Sequence, residues 1–371
     1  MTGPRRVLVL TNQISADQSA VWDEVDASGS WEVHLCGPEP RSELDAFVPS
    51  ATRPSVRHVH RIQPKDLGRG RGHLWWVMPG LGRLIADVRP DVIHVNSEPW
   101  GLLVSQALRH HGVVVAHGAE TRYTWGSPVE QAVRRAVVRR NLRRLSGFAS
   151  WNEAGVVLAR ENGLPAAAPT TVVPAITAAD SGVAPAPVHG PELVVGFVGR
   201  LLPEKGLSVL LDACARLVQE GRAVRLTVVG DGPQAALLQA QLPFDLDYRG
   251  QLGNVQTRAA MGECDVLAIP SRTAPHWEEQ FGRVVVEAFA GGVPVISSDA
   301  GALPEVVADA GGVVPEGDPV ALAAALDRFT DRAHRAERAA AGRERYDRHY
   351  SPPVLAGSLR QFWERACRAR T

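Results

Sequence analysis

Two glutamates that lie eight positions apart are candidates for a ligand-binding site. Glu279 and Glu287 lie in the stretch EEQFGRVVVE, where Phe281 and Gly282 begin an apolar, helix-like run. Because Gly282 lacks a Cβ, an anion could approach the backbone amides at the start of that helix. A carboxylate repels anions but accepts hydrogen bonds well from hydroxyls. The pattern indicates a diphosphate flanked by two polyols, as in a nucleotide sugar, although singly each glutamate is equally explained as a helix-start or surface charge.

Two cations follow another predicted strand. Arg200 comes directly after LVVGFVG, which ends at Gly199, and Lys205 stands just before a predicted helix. The chain contains only two lysines, Lys65 and Lys205, so 38 of its 40 basic residues are arginines. A lysine therefore needs a specific explanation. Solvated loop charges are the alternative, but the helix start and the rarity of lysine favour a diphosphate site.

Polar side chains also follow three predicted strands of the first half. Asn12 and Gln13 come after VLVL, Asn96 and Glu98 follow DVIHV, and His117 directly follows VVVA. The carboxyl ends of parallel strands meet at one edge of a sheet, where ligands bind in such folds. We expect these residues to lie together at one edge of the first sheet. A lone histidine is more often structural, but its place at a strand end favours a functional role for His117.

The elements that must position these residues alternate between strand and helix, which predicts an α/β protein with parallel, doubly wound sheets. The pattern runs twice, with a Pro-, Ala- and Gly-rich stretch between the two runs. We predict a first Rossmann-like domain over 1–175, a linker over 176–191, a second Rossmann-like domain over 192–350, and a last helix within 351–371 that crosses back to the first domain. A helix is also expected near 233–242. Two such domains predict a cleft at their boundary.

The composition of the chain also bears on its partners, its metal and disulfide content and its location. The 371 residues carry 40 basic and 40 acidic side chains, so no overall field favours nucleic acid as a partner. The four cysteines show no CxxC pair and no metal-ligand spacing to histidine, so no metal or disulfide framework is expected. No run approaches the roughly 18 to 20 apolar residues that span a bilayer, and the N-terminus resembles a strand more than a signal peptide. A cytoplasmic protein is expected.

An arginine-rich stretch, VRRAVVRRNLRRL, covers Val133 to Leu145. At about 100° per residue, its arginines and its apolar residues gather on opposite sides of a helix. Four of the six arginines, Arg135, Arg139, Arg140 and Arg143, gather on one side. The ordinary interpretation is a solvated face above a core stripe. The alternative is weak peripheral attraction to anionic lipid head groups, at the inner face of a membrane that carries the acceptor.

Four motifs in this order resemble the retaining glycosyltransferases of family GT4, which have the GT-B fold. They are the EX7E pair Glu279 and Glu287, and the stretches GRLLPEKG, VVGDGP and AGGVPVISSDAGALPEVV. The resemblance covers about Leu193 to Val314 and is weaker in the first half. It implies two Rossmann-like domains and the transfer of a sugar from a nucleoside diphosphate to a small-molecule, glycan or lipid acceptor.

The resemblance also implies roles for single residues. Arg200 and Lys205 would hold the donor diphosphate, Glu279 the transferred sugar and Glu287 the ribose. His117 matches the family's active-site histidine, and it would lie on the acceptor side with Asn12, Gln13, Asn96 and Glu98. The other residues expected at the donor are Gly199, Gly230, Gln251, Leu252, Phe281 and Gly282. No cofactor or metal is implied. In such enzymes retention is assigned to a front-face reaction, in which the β-phosphate takes the acceptor proton.

One departure concerns the first loop. Many relatives carry a Gly-Gly pair after the first strand, whereas this chain reads TNQISADQSAVW. Asn12 and Gln13 could replace some of those contacts. A nucleotide-sugar binder that has lost transfer is therefore the alternative function. The base, the sugar, the acceptor and the oligomeric state stay open.

Overall fold

Two units, each built on a parallel sheet, make up this computed structural model. It describes residues 3–12, 14, 16–38, 56, 58–68, 73–122, 127–174 and 192–369. Unit 1 combines Met1–Ala178 with Pro352–Thr371, and unit 2 covers Ala179–Ser351. The linker predicted over 176–191 lies outside the described residues.

Unit 1 contains a sheet of seven described strands, in the order β3-β2-β1-β6-β7-β8-β9. These strands are β1 (Arg5–Leu10), β2 (Trp31–Gly37), β3 (His58–Arg61), β6 (Val92–Val95), β7 (Val114–Gly118), β8 (Gly147–Ser150) and β9 (Thr170–Val172). All neighbours pair in parallel. A separate antiparallel pair is formed by β4 (Lys65–Asp66) and β5 (Trp76–Val77). The helices are α1 (Ala16–Ala27), α2 (Leu81–Val88), α3 (Leu102–His110), α4 (Pro128–Leu142), α5 (Glu153–Glu161) and α12 (Pro352–Arg368), with a 3-10 turn at His73–Trp75.

The first strand shows why this sheet is covered on both faces. Val7 and Val9 pack into one apolar cluster, and the alternate residues Leu8 and Leu10 pack into another. All four are fully buried. Successive side chains of a strand point to opposite faces, so a continuous apolar run requires apolar partners on both sides. The run VLVL therefore codes for a central strand of a doubly wound sheet.

Unit 2 repeats this architecture with a sheet of six described strands, in the order β12-β11-β10-β13-β14-β15. The strands are β10 (Leu193–Val198), β11 (Val224–Val229), β12 (Asp245–Tyr248), β13 (Val266–Ile269), β14 (Val295–Ser298) and β15 (Gly312–Val314). All pair in parallel. The helices are α6 (Leu207–Gln219), α7 (Asn254–Gly262), α8 (Arg283–Ala290), α9 (Leu303–Val307), α10 (Pro319–Asp327) and α11 (Arg332–His349), with 3-10 turns at Pro203–Lys205, Pro233–Gln239 and Arg328–Thr330.

The helix expected near 233–242 is one of these 3-10 turns. Gly232, with a φ of 153°, and Pro233 begin it, and Pro243 follows it closely. Proline cannot continue a helix because it lacks the backbone N–H. The apolar spacing was right for a helix, but the segment is too short to form one.

The last helix, α12, belongs to unit 1. Leu355, Leu359, Phe362 and Trp363 are buried in the same cluster as Val7. Fully burying each of these side chains contributes about 1.5–3 kcal/mol, so α12 is part of the core of unit 1. Within the described residues, no helix combines the length and apolarity needed to cross a membrane.

A chain of hydrogen bonds ties α12 to the sheet of unit 1. Trp363 Nε1 donates to His94 Nδ1 at 3.0 Å, and His94 Nε2 lies 3.2 Å from His117 Nδ1. His117 Nε2 lies 2.7 Å from the carbonyl oxygen of Val173. The indole can only donate and the carbonyl can only accept, so both rings are neutral with the proton on Nε2.

This arrangement opposes protonation of either ring. A charged His117 would have to donate from Nδ1, where His94 already donates. Burial lowers the pKa of His117 to about 4, although the bond to Val173 acts the other way. Burial, followed by the charge of His117, also lowers the pKa of His94 well below its ordinary value.

We predict that unit 1 loses stability as the pH falls from about 6.5 to about 4. The unfolded chain binds a proton at position 117 more tightly than the native state does in that window. The pKa of His117 is about 6.5 in the unfolded chain and about 4 in the native state. Between pH 7.5 and 4.5 this difference lowers the free energy of unfolding of the wild type by about 2–3 kcal/mol. His117→Asn should lose about that much less. Native-state hydrogen exchange at the amides of β7 measures the difference.

The control for this comparison is His349→Asn, which changes an exposed histidine of α11. It should keep the wild-type pH dependence at β7. An identical pH dependence in the wild type and His117→Asn would contradict the neutral relay.

Candidate active site

The strand order of each sheet identifies the place where a ligand is expected to bind. In unit 2 the chain runs outward from β10 to β12 on one side, then returns to build β13 to β15 on the other. The crevice between the carboxyl ends of β10 and β13 is the topological switch point, where ligands bind in open α/β sheets. The corresponding position in unit 1 lies between β1 and β6.

The loop after β10 carries both predicted cations. Gly199 follows the strand with a φ of 153°, and the side chain of Arg200 is exposed. Among the described residues Arg200 makes no ion pair. Lys205 ends the 3-10 turn, and Gly206, with a φ of 73°, begins α6. The lysine therefore lies at the N-terminus of a helix, where the helix dipole adds positive potential.

Lys205 contacts Glu279, the first glutamate of the EX7E pair. Its Nζ donates to Glu279 Oε2 at 2.6 Å, and Ser271 Oγ donates to the same oxygen at 3.1 Å. Nζ also lies 4.7 Å from the centre of a Trp277 ring. The side chains of Lys205 and Glu279 are 20% and 11% exposed. This is a short, mostly desolvated ion pair that still has access to solvent.

Close backbone packing holds the two loops together. A Cβ on Gly206 would lie 1.8 Å from the carbonyl oxygen of Pro270, which directly follows β13. The amide of Arg272 donates to the carbonyl of Glu204 at 2.8 Å. The loops after β10 and β13 therefore form one framework, and Lys205 and Glu279 are its inward-facing side chains.

The Phe-Gly pair begins α8, as the sequence indicates. Gly282 is its N-cap, with a φ of 79°. The Phe281 ring is buried, with its centre 6.0 Å from that of Tyr350, so this side chain packs in the core and only its backbone is suited to a ligand. Glu287, in the second turn of α8, is 18% exposed and lies 3.3 Å from Arg283. A ribose contact by Glu287 stays a prediction.

The remaining donor-side residues lie in loops after β11 and β12. Gly230 has a φ of 136°, and a Cβ there would lie 1.9 Å from the carbonyl oxygen of Gly199. Gly230 therefore lets the loops after β10 and β11 pack closely. Gln251 is exposed and Leu252 half-buried, just before α7.

In unit 1 the expected acceptor residues lie at the carboxyl ends of their strands. Asn12 follows β1 and is half-buried, and Gln13 lies outside the described residues. Asn96 follows β6, is half-buried, and donates its amide to the carbonyl of Leu10 at 2.8 Å. Both ring nitrogens of His117 are engaged by His94 and Val173. A substrate contact by His117 stays a prediction, which requires the ring to give up one of these bonds.

Glu98 has a partner that the sequence analysis missed. Its Oε1 accepts from the amides of Ala119 and Glu120, at 2.5 and 3.0 Å. Burial, followed by the charge of Glu98, raises the pKa of Glu120 to about 8. Trp100 Nε1 donates to Glu120 Oε2 at 3.1 Å. The sequence did contain a signal for this contact, because Glu120 is an acidic residue three positions after His117 and just past the end of the same strand.

Comparisons with known proteins agree with this architecture. Residues 192–332 match a family model described as glycosyl transferases group 1, and residues 27–174 match glycosyltransferase family 4. A 2-deoxystreptamine glucosyltransferase of Streptomyces kanamyceticus is 32% identical over 67% of this chain and 72% of its own.

This chain belongs to the group 1 glycosyltransferases of family 4.

This chain is also similar to a second relative and to a solved structure. A phosphatidyl-myo-inositol mannosyltransferase of Mycobacterium leprae is 33% identical over 45% of each chain. The crystal structure of Anabaena HepE with UDP and glucose has a TM-score of 0.66 at 19% identity, over 96% of this chain and 98% of that one. The glycosyltransferase is thus an enzyme whose two Rossmann-like units are those of the GT-B fold.

We predict that Gly206→Ala destabilises unit 2 more than Gly221→Ala does. Both glycines have a left-handed backbone, with φ of 73° and 86°, but a Cβ on Gly221 would meet nothing within 4 Å. The left-handed conformation costs alanine about 1–2 kcal/mol at either site. The clash with Pro270 adds about 1–3 kcal/mol at position 206. Hydrogen exchange at the β10 amides, monitored as a function of urea concentration, measures the loss of stability in both variants. Equal costs would contradict the close packing of the two loops.

Proposed function

We propose that this glycosyltransferase moves a glycosyl unit from a nucleoside-diphosphate sugar to a hydroxyl or other nucleophile of its acceptor, with retention of anomeric configuration and without a metal ion. The observation that carries the proposal is the 2.6 Å bond between Lys205 Nζ and Glu279 Oε2 at the switch point of unit 2. It joins a cation suited to phosphate with a carboxylate suited to sugar hydroxyls.

The charges of the loop after β10 suit a diphosphate. Arg200 and Lys205 would supply two positive charges, and α6 and α8 begin beside them. The first turn of any helix leaves amides without intrahelical partners, and these amides bind anions well. Arg200 is exposed and could turn to a phosphate without breaking an ion pair with any described residue.

The carboxylate of Glu279 would change partners when the donor binds. A diphosphate would compete for the ammonium of Lys205 and leave Glu279 with the Ser271 hydroxyl. An ionised carboxylate in this partly buried position gains from further donors, and the hydroxyls of the transferred sugar supply them. Glu287, five positions after Gly282 and in the second turn of α8, would accept from the ribose.

Transfer would then proceed on one face of the sugar. The acceptor oxygen forms its bond to the anomeric carbon as the bond to the β-phosphate oxygen breaks. That phosphate oxygen takes the acceptor proton, so no protein nucleophile is needed. Arg200 and Lys205 would neutralise the charge that develops on the leaving diphosphate, which is the electrostatic work a metal would otherwise do.

A polyol is the acceptor that unit 1 favours. Asn12 and Asn96 offer amide groups, and Glu98 and Glu120 form a mostly buried pair of carboxyls. An ammonium group would bind such a pair because it relieves the repulsion between two acids. The relative from S. kanamyceticus is named for 2-deoxystreptamine, which supports a small amino-polyol.

A lipid-linked acceptor is the second candidate, and the surface of α4 favours it. Arg135, Arg139, Arg140 and Arg143 are exposed, whereas Val138 is buried. Val129 and Val133 of the same helix are also 73% and 60% exposed. Exposed apolar groups beside a row of cations are typical of helices that lie on anionic membranes.

We predict that one of UDP, GDP, ADP or dTDP raises the melting temperature of the wild type and that Lys205→Ala abolishes the rise. A ligand at about a hundred times its dissociation constant stabilises the native state by about 2.7 kcal/mol. The matched control is Lys65→Ala, which removes the other lysine of the chain and should leave the shift unchanged.

Glu279→Gln separates binding from transfer in the same experiment. It should retain stabilisation by the diphosphate but lower the turnover of the intact nucleotide sugar, because Glu279 would contact the reacting sugar. Turnover should survive EDTA, and NMR should show the anomeric configuration retained. Loss of activity in EDTA while the protein stays folded, inversion, or equal shifts with Lys205→Ala would each refute part of the proposal.

We predict that the wild type sediments with vesicles containing anionic phospholipid and that replacing Arg139, Arg140 and Arg143 by Gln abolishes this. Each cation near such a surface contributes about 1 kcal/mol. The control triple, Arg83, Arg89 and Arg109 to Gln, changes exposed arginines of unit 1 outside α4. Equal sedimentation of both triples would remove the lipid-linked candidate.

A further inference from the structure

A cluster of histidines at the edge of the unit 1 sheet has no part in the proposed transfer. It consists of Glu32 and His34 on β2 and of His58 and His60 on β3. The two strands pair in parallel with His34 opposite His58. Residues two apart on a strand share a face, so all four side chains emerge on the same side of the sheet. Their neighbour Cys36 packs in the apolar cluster on that face.

Three of these side chains converge on one point. Glu32 Oε1 lies 2.6 Å from His34 Nε2 and 3.7 Å from His58 Nε2. One ligand atom from each of the three residues lies within 4.8 Å of the others. The rings of His34 and His58 stack with centres 4.4 Å apart and planes 13° apart, so one ring must turn before both Nε2 atoms can bind a single ion.

We propose that Glu32, His34 and His58 bind one divalent transition-metal ion of the Zn²⁺ type. Bonds of about 2.0–2.1 Å in tetrahedral geometry separate neighbouring ligand atoms by about 3.3 Å, and this cluster already brackets that value. His58 is 41% exposed and can move to close the remaining gap. Two imidazoles and one carboxylate, with a fourth position for water, form a known zinc ligand set.

His60 supplies the outer contact that such a site requires. Its Nε2 lies 3.0 Å from His34 Nδ1. While His34 Nε2 donates to Glu32, the Nδ1 atom must accept from His60. When His34 Nε2 binds a metal, the proton of His34 moves to its Nδ1 and the proton of His60 moves from Nε2 to its own Nδ1, so that His34 Nδ1 donates to His60 Nε2. Ligating histidines commonly donate their other N–H in this way, which fixes the ring and raises its basicity.

Arg6 is the one described cation that opposes the ion. Its Nε lies 3.4 Å from Glu32 Oε1, and its side chain is 44% exposed. A half-exposed arginine can leave a carboxylate at small cost, since such surface pairs contribute only about 0–1 kcal/mol. The imidazoles favour Zn²⁺, Ni²⁺ and Cu²⁺ over Mg²⁺ and Ca²⁺, which prefer oxygen ligands.

The position of the cluster indicates a structural role for the ion. Glu32 and His58 lie near the amino ends of β2 and β3, whereas Asn12 and Asn96 follow the carboxyl ends of β1 and β6. An ion shared by β2 and β3 would fasten the edge strand to the sheet. This inference is independent of the proposed function, because transfer without a metal at the donor is compatible with a structural ion at this edge.

The test is calorimetric titration of ZnCl₂ into tag-free, chelator-treated full-length protein. We expect one Zn²⁺ per chain, an increase in melting temperature, and Co²⁺ absorption bands typical of tetrahedral coordination. His58→Gln and Glu32→Gln should each remove this binding, and His60→Gln should weaken it about 10- to 100-fold. His110→Gln, an exposed histidine of α3, is the matched control and should bind as the wild type does.

Several results would overturn the site. They are no binding by folded wild type, unchanged binding in His58→Gln, or equal losses in His58→Gln and His110→Gln. Because the His58 side chain is 41% exposed at the sheet edge, its variant should fold, and circular dichroism verifies this. Displacement of Co²⁺ by Mg²⁺ would also contradict the nitrogen-rich ligand set.

Discussion

The ion pair between Lys205 and Glu279 is the interaction on which the proposed donor site depends. The two residues lie 74 positions apart, and only the parallel order of β10 and β13 brings their loops together. Removing a lysine and a carboxylate from water is costly, so such a pair persists only where its geometry is good and other bonds support it. Ser271 and the packing of Gly206 on Pro270 provide that support. The glycines of this region are therefore as much part of the site as its charges.

The sequence could predict the fold because its information is local. Apolar runs such as VLVL and LVVGFVG can only be satisfied as strands covered on both faces, and their alternation with helical periods requires parallel pairing. Arg200, Lys205 and Glu279 could be assigned to one edge because each follows a strand or begins a helix. Their proximity follows from topology, without knowledge of any single contact. The 3-10 turn at Pro233–Gln239 shows where this logic fails, since periodicity does not measure whether a segment is long enough.

Contacts between distant side chains could not be predicted in this way. His117 ends a strand, as expected, yet the state of its ring is fixed through His94 by Trp363, 269 positions after His94. No pattern near His117 reveals that a neutral relay occupies both nitrogens. The same holds for Glu120, whose pKa depends on burial beside Glu98, and for His34 and His58, which meet only because of the register of β2 with β3. Register is a property of the folded sheet, so sequence spacing alone leaves it open.

The choice of lysine at position 205 follows from what the pair must do. In a chain with 38 arginines among 40 basic residues, a guanidinium would have been the ordinary cation. A guanidinium binds a carboxylate through two parallel bonds in a fixed plane, and it would hold Glu279 in that geometry. The lysine ammonium is a point charge on a flexible stem, with three donors that can be shared between partners. Its position over Trp277 favours the charge without directing any of those donors. In the proposed function, Lys205 stabilises Glu279 alone and then transfers its attraction to a diphosphate, which needs this freedom of direction.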